Sequence, residues 1–176
     1  TDFGPHVESF ANENGFDFQS IRESADSQYR FFLKALNNVH LKEYIKTPEK
    51  LITDLQVSPD QARLKSQIVT HLLTRYRGAM DSVGGKEKEF IPAAFPLPWN
   101  QLSGFDYQAN GEIANAISCK YYTMHWPMML KNYSEALTRK NPGLSKSLLA
   151  DCLCAAFEAV FPTPKSSESF HYPEPE

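Results

Sequence analysis

After a polar lead-in carrying Phe3, Phe10 and Phe16, apolar residues begin to recur at intervals of three and four. Phe18, Ile21, Ala25, Tyr29, Phe32, Leu33 and Leu36 form one stripe, which predicts a first long helix from about residue 18 to 40. A short helix is expected from Pro5, because proline suits a first helical position. Asn37-Asn38 loosens the end of the long helix, and a further turn carries Leu41, Tyr44 and Ile45. Thr47-Pro48-Glu49 starts a short helix to Leu55, with Thr as cap and an acid in the first turn. Ser58-Pro59-Asp60-Gln61 is a stronger start, in which Ser58 and Gln61 make a capping box. That helix runs to about Val83 and stops at Gly84-Gly85, where the backbone is free to turn left-handed. Three more helices are predicted, over 112–125, 127–140 and 144–161. Pro127 divides the first two, and Asn141-Pro142-Gly143 divides the last two. No internal repeat and no convincing strand run is present.

Two segments lie outside this periodicity. Residues 86–110 contain Pro92, Pro96 and Pro98 and follow neither a helical nor an alternating period. They also hold Phe90, Ile91, Phe95, Leu97, Trp99, Leu102, Phe105 and Tyr107, so they cannot stay in water. A long apolar loop of this kind is expected to lie across a groove of its own domain or on a neighbouring subunit. From Pro162 the tail has four prolines among polar residues and is expected to be irregular. The expected fold is all-α. It is a single-domain bundle of about five to seven helices over 18–161, with a Pro-rich loop at 86–110. Extended terminal arms flank it at 1–17 and 162–176.

Composition supports a folded chain: 41% apolar, 22% charged and 12% Phe, Tyr or Trp in 176 residues. A net charge of −3 argues against binding nucleic acid by bulk charge but leaves room for a local basic groove. Cys119, Cys152 and Cys154 are odd in number and lack a C-x-x-C, so they read as small buried apolar residues in a reducing, intracellular compartment rather than a disulfide or zinc framework. No run of ~18 apolar residues is present to span a membrane. No signal-peptide pattern opens the chain, and Thr1 is of the kind left after initiator removal or precursor cleavage, which suggests a mature chain. The sequon at Asn132 lies in a helical pattern and reads as chance.

The stretch from Lys120 to Lys140 mixes aromatic, methionine and basic residues, which fits either a nucleic-acid grip or a helical core. On a wheel, Ile113, Ala116, Ile117, Tyr121 and Met124 share one arc and Cys119, Tyr122 and Trp126 another. A helix apolar on two sides belongs inside a bundle, so most of these side chains are expected in the core. Lys120 falls within the first arc, either as a snorkelling stem or as a charge kept to meet an anion. Glu135 and Arg139 are expected to pair at i,i+4.

The helix over 59–83 gives the clearest candidate surface. Opposite its apolar arc run Arg63, Gln67, Thr70, Thr74 and Arg77, with no acid among the five. Arginines flanking hydroxyls and an amide suit contact with a phosphate backbone, and Arg75 and Lys120 are added to that set. The plainer reading of the stripe is a solvated face. Catalytic signatures are missing: there is no H-E-x-x-H, G-x-S-x-G, P-loop or G-x-G-x-x-G, and His6, His40, His71, His125 and His171 are scattered. No cofactor and no metal is expected.

The expected function is a non-enzymatic, self-assembling structural protein, a coat or nucleocapsid-like subunit. Its expected partners are further copies of itself and the RNA backbone, with no membrane. Phe95 and Trp99 of the loop and Phe170 and Tyr172 of the tail are the expected assembly contacts, since exchange of arms is a common route to symmetric assemblies. The alternatives are a helical module that binds another protein at the loop and an enzyme whose pocket the loop covers.

Overall fold

Capping chemistry sets most of the helix ends. In the computed structural model, which describes residues 3–120, 125–157 and 165–170, nine α-helices and a two-stranded parallel sheet are found. The all-α reading therefore holds, with that small sheet added. Helices α1 (Pro5–Glu13), α4 (Pro48–Leu55) and α5 (Pro59–Ser82) each begin on a proline, as their sequences predict. At α5, Ser58 Oγ accepts from the amide of Gln61 at 3.1 Å. The helix closes in a Schellman turn. Gly84 takes a φ of 84°, its amide donates to Asp81 O, and the Gly85 amide donates to Met80 O at 2.8 Å. A Cβ at Gly85 would stand 2.6 Å from that same oxygen, so a side chain there would break the turn.

The predicted helix over 18–40 is divided. Helix α2 (Phe18–Arg30) passes into a π-helical turn at Phe31–Ala35, Leu36 is extended, and α3 (Asn38–Lys46) restarts the chain. The cause is a competing cap. Asn37 Oδ1 accepts from the amides of Val39 and His40, and His40 Nδ1 accepts from the Asn37 amide.

The segments on either side of Gly111 also differ from expectation. Strand β1 (Ala93–Ala94) and α6 (Trp99–Ser103) lie within 86–110, and α7 (Tyr107–Gly111) begins there. Gly104 turns left-handed to end α6, and Asp106 caps α7 through the amides of Gln108 and Ala109. The helix predicted over 112–125 does not form in its described part. Strand β2 (Ser118–Cys119) pairs with β1 instead, with Ser118 N donating to Pro92 O and Lys120 N to Ala94 O. Ile113, Ile117 and Ser118 are weak helix formers, and an extended partner strand offers their backbone another set of hydrogen bonds. Tyr121, Tyr122 and Met124, assigned to the core, lie outside the described residues. Helix α8 (His125–Lys140) includes Pro127, which it accommodates in its first turn. Helix α9 (Lys146–Ala156) begins at a Ser145 cap and is shorter than the predicted 144–161, whose residues 158–161 are not described.

The chain divides into two compact units. The first comprises Thr1–Ser24 and Gln56–Tyr121, and it buries Ala11, Phe16, Phe18, Ile21 and Leu64 together, with Phe10 and Ile68 against them. The second comprises Ala25–Leu55 and Tyr122–Glu176. Its centre is α9, which packs against α3, α4 and α8 and buries residues on every side, including Cys152 and Cys154. Both are buried and neither forms a disulfide among the described residues, as suits small apolar residues.

Candidate functional site

Helix α5 carries the candidate surface, and its two halves differ. In the first half, Gln61 and Leu64 are buried and Ile68 packs on the core of the first unit. The same face continues into the second half as Leu72, Tyr76, Ala79 and Val83, at steps of four, three and four. Here the packing has ended: Leu72 is 50% exposed, Tyr76 58% and Val83 84%. Val69, Leu73 and Met80 beside them are half-buried. A helical stripe that is apolar at core spacing yet open to solvent is a surface lacking its cover.

The phosphate-tracking stripe fares differently along its length. Arg63 is exposed, but it pairs with Asp60 at 3.3 Å and lies over the Phe16 ring at 5.2 Å. Gln67 and Arg75 are exposed. Thr70 is half-buried with a buried hydroxyl that has no hydrogen-bond partner, and Thr74 donates its hydroxyl back to Thr70 O at 2.9 Å. Arg77 turns inward. It pairs with Asp81 at 2.8 Å and donates to Lys86 O, Lys88 O and Asn115 Oδ1, which ties the turn after α5 to the chain before β2. Lys120 is half-buried with its ammonium 5.6 Å from the Phe95 ring, so the structure gives its stem a packing role in β2's neighbourhood. Of the seven residues, Arg63, Gln67 and Arg75 thus keep exposed side chains with their polar ends outward, while exposed Thr74 turns its hydroxyl back on Thr70 O.

The expected assembly residues are mostly engaged within their own units. Trp99 is 3% exposed and Phe170 2%. Phe95 is half-buried, and its carbonyl accepts from the Tyr107 hydroxyl at 2.6 Å. Tyr172 lies outside the described residues. The Pro-rich segment rests on α5 of its own unit. There Lys65 Nζ donates to Leu102 O at 2.7 Å, and burial holds that ammonium below its ordinary range. The open face of α5 was legible as apolar in the sequence; that it is left open was not, because periodicity does not say what covers a stripe.

No protein-family model, curated protein or solved structure matches the chain. No described helix is long and apolar enough to cross a membrane, and no group of three or more metal-ligating side chains gathers among the described residues.

Proposed function

We propose that this chain is a non-enzymatic structural subunit that assembles with copies of itself, in the manner of a coat or nucleocapsid protein. The observation that carries the proposal is the open apolar face of α5 at Leu72, Tyr76 and Val83. Its four-three-four spacing is the seam by which two helices pack side by side, so a second copy of the same face complements it about a twofold axis. This moves the lateral contact away from Trp99 and Phe170, which are already used in packing. Arg63, Gln67 and Arg75 remain outward for RNA phosphates, a supplementary contact whose small number of charges suits a chain of net charge −3. Three cysteines outside any disulfide among the described residues fit an intracellular, reducing setting.

Light scattering of the full chain at physiological salt, with and without RNA, tests this reading. An oligomeric mass is expected, with Leu72→Asp reducing it to that of a 20.0 kDa monomer while the helical circular dichroism is kept. A clean monomer in both conditions overturns the proposal. An oligomer that Leu72→Asp leaves intact removes α5 as its seam. A monomer that captures a different protein through the same face would make the chain an interaction module instead.

A further inference from the structure

The second unit contains a cavity of about 650 Å³ that is remote in sequence from α5 and unused by the assembly proposal. Its walls come from one face of α8 between Lys131 and Arg139, from Pro142, Leu144 and Lys146 leading into α9, and from Ser167, Glu168 and Phe170. The size falls within the usual range for small-ligand sites, about 300–1,000 Å³.

Three features of the wall favour an anion. Lys131 pairs with Glu135 at 3.8 Å, and Lys146 pairs with Glu168, so both carboxylates are already neutralised. Arg139 stands apart. The Glu135–Arg139 pair expected from the sequence does not form, and Arg139 has no ion-pair partner among the described residues. The second feature is a hydroxyl without a partner. Ser167 is 2% exposed, and its Oγ has no hydrogen-bond partner among the described residues. Beside it, Ser134 is 3% exposed and donates only a 3.5 Å contact to Ser167 O, the outer limit of a hydrogen bond. Buried hydroxyls are normally satisfied, so a pair held this loosely suits an incoming acceptor. The third is the start of α9, whose dipole is positive at this end.

The geometry points to a binding site for a phosphate group in this cavity, with Arg139 as the charged donor and Ser167 and Ser134 as the neutral donors, while Lys131 and Lys146 offset the two carboxylates of the wall. A phosphate suits the set because it offers several acceptor oxygens to a guanidinium fork and two hydroxyls at once. The group would be carried by a free nucleotide-sized ligand or by an RNA backbone; the chemistry recognised is the same.

Titration calorimetry on the full chain with inorganic phosphate, a ribonucleoside monophosphate and a short single-stranded RNA tests the site. Saturable binding of inorganic phosphate and of the monophosphate is expected. Arg139→Gln should weaken it about tenfold and Ser167→Ala about threefold, as charge-assisted and neutral hydrogen bonds differ in strength. Lys42→Gln, an exposed change on α3, should leave it within about twofold. RNA that competes with the monophosphate and loses affinity in Arg139→Gln identifies the backbone as the source; RNA indifferent to Arg139→Gln identifies a free ligand. The site is refuted if neither inorganic phosphate nor the monophosphate binds at up to ~10 mM, or if Arg139→Gln and Ser167→Ala both leave affinity within about twofold. Since no α5 residue lines the cavity, failure of self-assembly would leave this result unaffected.

Discussion

Asn141 illustrates what a single side chain contributes beyond its sequence neighbourhood. In the sequence, Asn141-Pro142-Gly143 reads as the end of a helix, and α8 does end there. The structure adds a second role: Asn141 Nδ2 donates to Phe32 O at 2.7 Å and to Leu137 O at 3.0 Å, in a buried site. The first bond satisfies a carbonyl of the π-helical turn, 109 positions away in the chain. Removing the buried donor leaves Phe32 O without its side-chain partner, while Leu137 O keeps the Asn141 amide at 2.9 Å, so Asn141→Ala should cost about 1–3 kcal/mol. Urea unfolding should show a lower midpoint with an unchanged slope. Arg77 gives the same lesson for the candidate site. The sequence places it on a stripe expected to meet phosphate, yet Asp81, Lys86, Lys88 and Asn115 take up the guanidinium. Partners of that kind are set by tertiary contact, which no local pattern encodes.

At the scale of elements, the boundaries written in short-range chemistry were legible. Pro48, Ser58 and Gly84-Gly85 act within five residues of themselves, and α4 starts and α5 starts and stops where those signals fall. The failures occurred where the backbone had a distant alternative. Residues 115–120 give up a helix for bonds to 90–94, and the stripe over 18–40 is cut by the Asn37 cap. Within α5, Gly78 offers a separate test of the open half of the helix. A Cβ added there meets nothing within 4 Å, and the position does not fall on the Leu72–Tyr76 face. Gly78→Ala should therefore stabilise the helix by up to ~1 kcal/mol. The expected reading is a higher thermal midpoint at an unchanged assembly mass. A fall in mass would mean that the partner helix approaches across Gly78, which would rotate the proposed seam.

Across the whole molecule, the two units carry opposite responses to alkali. In the second unit, burial pushes the Cys152 thiol up to about 12, with Asp151 adding to it. Tyr44 is raised by burial and then by its 2.7 Å hydrogen bond to Asp54, and Tyr133 is raised by burial. These groups hold their protons when folded but release them when unfolded, so their stabilisation is complete below the unfolded values. It is lost as pH climbs from about 9, where an exposed thiol begins to ionise. In the first unit, burial lowers the Lys65 ammonium. Folding there opposes the charge at neutral pH, and the penalty is relieved as pH rises toward the ordinary lysine value near 10.5. The chain's two tryptophans report on the units separately, Trp99 in the first and Trp126 in the second, both buried. With fluorotryptophan label, urea midpoints at about pH 8 and about pH 10 should fall for Trp126 and fall less, or rise, for Trp99. A larger alkaline loss at Trp99 than at Trp126 would show that burial of Cys152, Tyr44 and Tyr133 does not govern the second unit's stability.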